Sequence, residues 1–163
     1  MGRKLDSVKD KTREGNDSFR ETDAISKQAV SDVKQMKGLI DSLPTDVDDE
    51  IVQAAEIVKE GTKSDAENYM NSEVKNRVEQ GKMTIEASSD MAKEQIRNNE
   101  RAADIFSQMD SVGSFGRGAR DSGRGNIERS TQEFNNAINE NTQSMEQAEQ
   151  AFSQDLSEIS GTF

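Results

Sequence analysis

Two groups of residues, and one set of absences, decide what chemistry the chain could do. The first is Gly118-Ala-Arg-Asp-Ser-Gly123-Arg124, which has the glycine spacing of a phosphate-binding loop. That chemistry needs backbone N–H groups around a phosphate, a lysine on its oxygens and a hydroxyl on the magnesium ion. Here Arg124 and Gly125 stand where the lysine and the hydroxyl residue belong, and Gly116-x-Gly118 meets Asp121 where a dinucleotide fingerprint needs its third glycine. Two readings remain: an anion held by Arg117, Arg120 and Arg124 at a helix start, or a flexible basic linker. The second group is Asp46, Asp48, Asp49 and Glu50. It lacks the twelve-residue spacing and mid-loop glycine of a calcium loop, and negative charge in the first turn of a helix accounts for it. The chain has no Cys, no His, no Trp and one Tyr, which removes thiol nucleophiles, disulfides, imidazole bases and ordinary zinc sites. The expectation is a protein with no catalytic residues, no cofactor and no metal, and not an enzyme.

The elements that must position any site follow from periodicity. Leu, Ile, Val and Phe make up only 29 of 163 residues, a composition close to that of disordered chains. Against this stand a single proline, Pro44, and regular spacing of the apolar residues. Steps of three and four run through Leu5, Val8, Thr12, Gly15, Phe19, Thr22, Ser26, Ala29, Val33, Met36, Ile40 and Leu43, with the more apolar half from Ala29 onward. A second stripe joins Met70, Val74, Gly81, Ile85, Ala92, Ile96, Ala103 and Phe106. A third runs through Ile127, Thr131, Phe134, Ile138, Asn141, Met145, Ala148, Phe152, Asp155 and Ile159. The first and third are heptad coiled-coil seams; in the second, Val74, Ile85 and Ile96 lie eleven apart, a spacing that relaxes or reverses a left-handed supercoil. Asn141 falls in the third, either as a register-setting buried amide or as a surface residue on a rotated helix. Six of the seven methionines, Met36, Met70, Met83, Met91, Met109 and Met145, sit at or beside the stripes, as adaptable core filling or as a partner-binding face.

The predicted fold is all-α: an elongated antiparallel helical bundle or coiled coil with three main helices, near residues 3–43, 46–110 and 126–159. Pro44 separates the first two, and Thr45 or Asp46 caps the second. The long helix either runs unbroken or kinks or restarts, near Gly61, where Ser64-Asp65-Ala66-Glu67 has the capping-box pattern, or at Gly81, a second weak point. The predicted domains are a helical hairpin over 1–110, a glycine-rich loop or hinge over 111–125, and a C-terminal helix over 126–163 packing on the same core.

Net charge is −11. It divides as +1 over residues 1–43, −8 over 44–110, +2 over 111–125 and −6 over 126–163. So acidic a chain is repelled by nucleic-acid phosphates and anionic lipid, and no apolar run approaches a membrane span. Nucleic-acid binding and stable membrane insertion are therefore not expected. Met1 to Leu5 is not followed by the apolar run of a secretory signal, and Asp6 stands where a myristoylation signal needs Ser or Thr. The partner expected is a protein, or a second copy, meeting helical seams. The interface expected is Phe134, Ile138, Met145, Phe152 and Ile159.

Tyr69-Met-Asn-Ser-Glu73 reads Tyr-x-x-x-Glu. With its long acidic helices, lack of Cys and few aromatics, the chain resembles the small helical proteins of type VII secretion systems: W-x-G hairpins, the N-terminal domains of LXG toxins, and their helical partners. The resemblance implies helical bundling and an export motif at Tyr69 and Glu73. It departs from the family in having no Trp, with Ser114-Phe115-Gly116 at the turn and Tyr69 within a helix. The expected function is a non-catalytic helical protein–protein interaction module. Its specific form is a type VII secretion substrate or a toxin-associated targeting or chaperone partner. The alternative is a structural coiled-coil scaffold or filament subunit. Localisation would be cytoplasmic before signal-peptide-independent export, then secreted or at the cell surface.

Overall fold

The computed structural model describes residues 2–113 and 115–163. The protein is all-α, with no strand among the described residues. Helix α1 spans Gly2–Asp41, α2 spans Asp49–Tyr69, α3 spans Lys75–Met109 and α4 spans Arg117–Thr162. A π-helical turn, Met70–Val74, joins α2 to α3 without a break, and a 3-10 turn, Asp110–Val112, ends α3. No helix among the described residues is long and apolar enough to cross a membrane.

The chain packs as two compact units. The first unit is Met1–Asn16 with Lys82–Met145, and the second is Asp17–Gly81 with Glu146–Phe163. Helices α1, α3 and α4 contribute to both. The predicted division into hairpin, hinge and C-terminal helix followed the order of the chain, whereas helices that pair over their lengths share cores across that order.

The second unit sets the direction of its helices by side-chain pairing. Phe19 meets Gly81 while Ser26 meets Met70, so α1 and the central helix are antiparallel. Lys27 pairs with Asp155 and Lys34 with Glu158, so α4 runs parallel to α1. Its core comprises Val30, Val33, Met70, Val74 and Ile159, with Phe152 and Leu156 against them. The first unit has its own core of Val8, Ala92, Phe134 and Ala137.

The long helix does not break at Gly61 or Gly81; both lie inside continuous helix. Ser64 and Glu67 lie inside that helix and cap nothing; Glu67 instead accepts from Ser160 Oγ at 3.3 Å. The irregularity falls instead at Met70–Val74. Packed positions Ala66, Met70, Val74 and Val78 are spaced by four in succession. In a regular helix each such step drifts by about 40° around the axis, and the wider π-helical turn restores them to one face. Gly81 serves packing. A Cβ there would lie 2.6 Å from the Phe19 ring, so glycine lets the ring rest on the helix backbone and a larger residue would make it shift.

The predicted loop 111–125 is also corrected. Helix α4 starts at Arg117, so the connection is short. Gly113 (φ 148°) and Gly116 (φ 72°) supply its left-handed backbone, which side chains disfavour. Gly123 is helical and sits under the Phe106 ring, 3.0 Å from where a Cβ would be. The first hairpin is closed over residues 42–48, with Asp48 rather than Thr45 or Asp46 preceding α2 and with no side-chain cap.

Candidate partner-binding groove

Each unit carries a polar layer inside its core. In the first, the Asn141 amide donates to Ser89 Oγ at 3.0 Å and accepts from Thr12 Oγ1 at 2.8 Å. Ser88 Oγ meets Thr12 Oγ1 at 2.8 Å and donates to the Val8 carbonyl at 2.8 Å. Asn141 is fully buried, so of the two readings of this residue the register-setting one describes its place. Nearby, Asn99 donates to Ser130 and Thr131, each at 3.1 Å. In the second unit the layer is ionic. Asp155 is fully buried, accepts from Ser26 Oγ at 2.6 Å, and pairs with Lys27 Nζ. The hydrogen bond to Asp155 holds the Lys27 ammonium above its ordinary pKa, against a smaller opposing effect of burial; Asp155, Asp23 and Glu158 add attraction.

These layers satisfy polar groups and fix register; they present nothing to a ligand. Two arginines of the expected anion site, Arg120 and Arg124, make contacts within the fold. Arg120 donates to the carbonyls of Phe115 at 2.8 Å and Gly113 at 3.1 Å. Its Nε lies 3.0 Å from Asp110 Oδ1, as an ion pair without hydrogen-bond alignment. Arg124 reaches the Phe106 carbonyl at 3.3 Å and pairs with Asp110. The hydrogen bond from Arg124 is the main cause holding the Asp110 carboxyl below its usual range, aided by the charges of Arg124, Arg120 and Arg117. Arg120 and Arg124 thus join the end of α3 to the start of α4. The acidic residues Asp49 and Glu50 occupy the first turn of α2.

The α4 face expected to be buried, in an intramolecular bundle or an interface, is covered within the chain itself. Phe134 and Ile159 are buried in the chain's own cores. Ile138 and Phe152 pack against those cores, and Met145 is half-buried. The α4 seam therefore faces α1 and the central helix, because those helices bring complementary stripes to it.

What remains open lies elsewhere in the second unit. A groove of about 630 Å³ runs between α1 and α2. Ile25, Ala29, Val33 and Met36 line it from α1, and Ala66 and Tyr69 from α2. No α4 residue lines it. Within this unit α1 meets α4 through polar contacts of Ser26, Lys27 and Lys34, on a different face of the helix. Beyond the groove the hairpin keeps apolar side chains in solvent: Leu39, Leu43, Ile51, Val52 and Val58 are all exposed, and α2 has no buried residue.

This inverts the pattern of the first stripe. Its polar half, with Thr12, Thr22 and Ser26, is the better covered, whereas Met36 and Leu43 in its apolar half are exposed. Sequence reasoning missed the groove because periodicity marks an apolar face without showing how far the third helix covers it. Tyr69 stands on the groove wall, 38% exposed, immediately before the π-helical turn. Glu73 is exposed within that turn. Comparison with family models, with curated proteins and with solved structures finds no match.

Proposed function

We propose that this protein is a non-catalytic helical interaction module that binds another protein through the α1–α2 hairpin of its second unit. The observation that carries the reading is the uncovered apolar groove from Ile25 to Met36 and Ala66 to Tyr69, continued by exposed Leu43 and Ile51. Apolar side chains concentrated on one helical hairpin favour a helical partner over a small molecule. The specific form of the proposal is a type VII secretion substrate, or the targeting or chaperone partner of a toxin. Exposure of both Tyr69 and Glu73 supports it, since a recognition motif must be reachable.

The test is site-specific photo-crosslinking in the native host, with the reactive residue at Met36 or Tyr69 and a control at exposed Arg20. A discrete adduct of defined stoichiometry from the first two positions, absent from the control, is expected. Open-ended ladders of the protein with itself would favour a scaffold or filament subunit instead. In the secretion form, Tyr69→Ala with Glu73→Ala lowers export while leaving helicity unchanged; export at the parent level would remove that form.

A further inference from the structure

The groove also carries information about the chemistry of its occupant. Its two charged lining residues are Asp32 on α1 and Asp65 on α2, and no Lys or Arg lines it. Both carboxylates are exposed, and neither has an ion-pair partner among the described residues. Asp32 Oδ1 accepts only a neutral amide, Gln28 Nε2, at 2.8 Å. Resting on the interaction-module reading, we infer that this groove takes one amphipathic helix of a partner protein, with lysine or arginine flanking its apolar face.

The layout matches what such a helix presents. From Ile25 to Met36 the α1 wall runs for about 17 Å at 1.5 Å per residue, or about three helical turns. Along it the groove offers the half-buried Ile25 and Ala29 and the exposed Met36, with the buried Val33 as its floor, a period of three and four that receives a seam of the same period. Asp32 and Asp65 sit on opposite helices, so they flank that seam as charged positions flank a coiled-coil core. Met36 adapts to the shape of an incoming side chain, and Tyr69 offers an apolar ring with a polar tip.

The same charges argue against a second copy as the occupant. Groove against groove would place Asp32 and Asp65 opposite their own counterparts. The central and C-terminal helices are strongly acidic, and α1, the one near-neutral helix, is already packed in both units. Anionic lipid meets the same repulsion.

The test uses the full chain and two fluorescent 18-residue helical peptides with an identical leucine seam, one flanked by lysines and the other by glutamates. Anisotropy titration should show saturable binding of the lysine peptide, weakening as salt rises, and at least about tenfold weaker binding of the glutamate peptide. The double variant Asp32→Lys, Asp65→Lys should reverse that preference, and Met36→Glu should abolish binding of both peptides. Both aspartates are exposed, so helicity and melting of the double variant should match the parent. Equal affinity for the two peptides, no binding of either, or an unchanged preference in the double variant would overturn the proposal. If crosslinks at Met36 and Tyr69 persist in any of those cases, the basic-helix assignment fails and the interaction-module reading stands. Loss of the crosslinks as well removes both.

Discussion

The two units solve the same packing problem with different polar chemistry. The first buries a neutral network of Thr12, Ser88, Ser89 and Asn141, in which each group finds hydroxyl, amide or carbonyl partners. The second buries a carboxylate, Asp155, whose charge is met by Lys27 and Ser26. Their open surfaces differ in the same direction. The groove between α1 and α3 in the first unit is about 220 Å³ and lined largely by polar side chains such as Lys4, Ser7, Glu94 and Gln95. The α1–α2 groove of the second is about 630 Å³ and largely aliphatic. Neutral layers cost little to keep at any pH, whereas an ionic layer ties helix docking to charge. An apolar groove left beside such a layer retains surface that a partner can cover.

The largest effect is expected from emptying the core of the first unit. Phe134 is only 2% exposed and packs with Val8, Ala92 and Ala137. Phe134→Ala should cost about 3–5 kcal/mol through lost burial and the cavity left behind. Amide hydrogen exchange of the variant should speed up first over residues 82–145. Equal acceleration over 17–81 would mean that the two units unfold as one, and would erase the distinction between them.

Next come two glycines on the same long helix, whose substitutions should act with opposite sign. At Gly81 an added methyl meets the Phe19 ring, and Gly81→Ala should destabilise by about 1–3 kcal/mol, as overpacking does. At Gly61 nothing lies within 4 Å of the new Cβ. Gly61→Ala should therefore stabilise by about 0.5–1 kcal/mol through helix propensity alone. Thermal melts of the two variants decide this, and shifts of the same sign would show that Phe19 can yield.

These glycines also show how far the sequence speaks. The three apolar stripes were legible, and nearly every residue in them is buried or half-buried, including the polar members Thr12, Ser26, Asn141 and Asp155. Periodicity reports which face packs, whatever stands on it. Local propensity misled wherever packing outweighed it. Gly81 reads as a weak point but receives an aromatic ring, and Gly118, Gly123 and Gly125 read as loop but belong to α4. There Arg120 and Arg124 hold the turn, and Phe106 covers Gly123. The π-helical turn was written in the run of fours through Met70, Val74 and Val78, a signal recognisable once drift per step is counted. The groove was not legible, because its existence depends on which helices α4 covers, a property of three chain segments together.

A smaller effect is expected at the turn between α3 and α4. Arg120→Ala removes the donor to the Phe115 and Gly113 carbonyls. The cost to global stability should be about 1 kcal/mol, with a larger local effect. Trypsin should then cut after Arg117 several times faster than in the parent. An unchanged cleavage rate would mean that the glycine backbone alone orders the turn.

The smallest expected effect separates the ionic layer from the neutral one by pH. Lys27 has its pKa raised above the 10.5 of a free lysine, chiefly by its hydrogen bond to Asp155. A group whose folded pKa is raised adds stability that is complete below the unfolded value and is lost as pH rises through the folded value. The window is therefore alkaline, opening near pH 10.5. The Lys27 side chain is 52% exposed, so solvent screening keeps the contribution below about 1 kcal/mol. Asp155→Asn lowers stability at neutral pH by removing the charge-assisted bonds, and it should also flatten the alkaline decline, because Lys27 then has no buried carboxylate to lose. Asn141→Ala, which breaks the neutral layer, should lower stability while leaving the alkaline slope of the parent intact. Melting temperatures of the three proteins between pH 8 and 11.5 provide the comparison. Parallel curves would show that Lys27 does not feel Asp155, and that the two layers differ in composition but not in how they respond to charge.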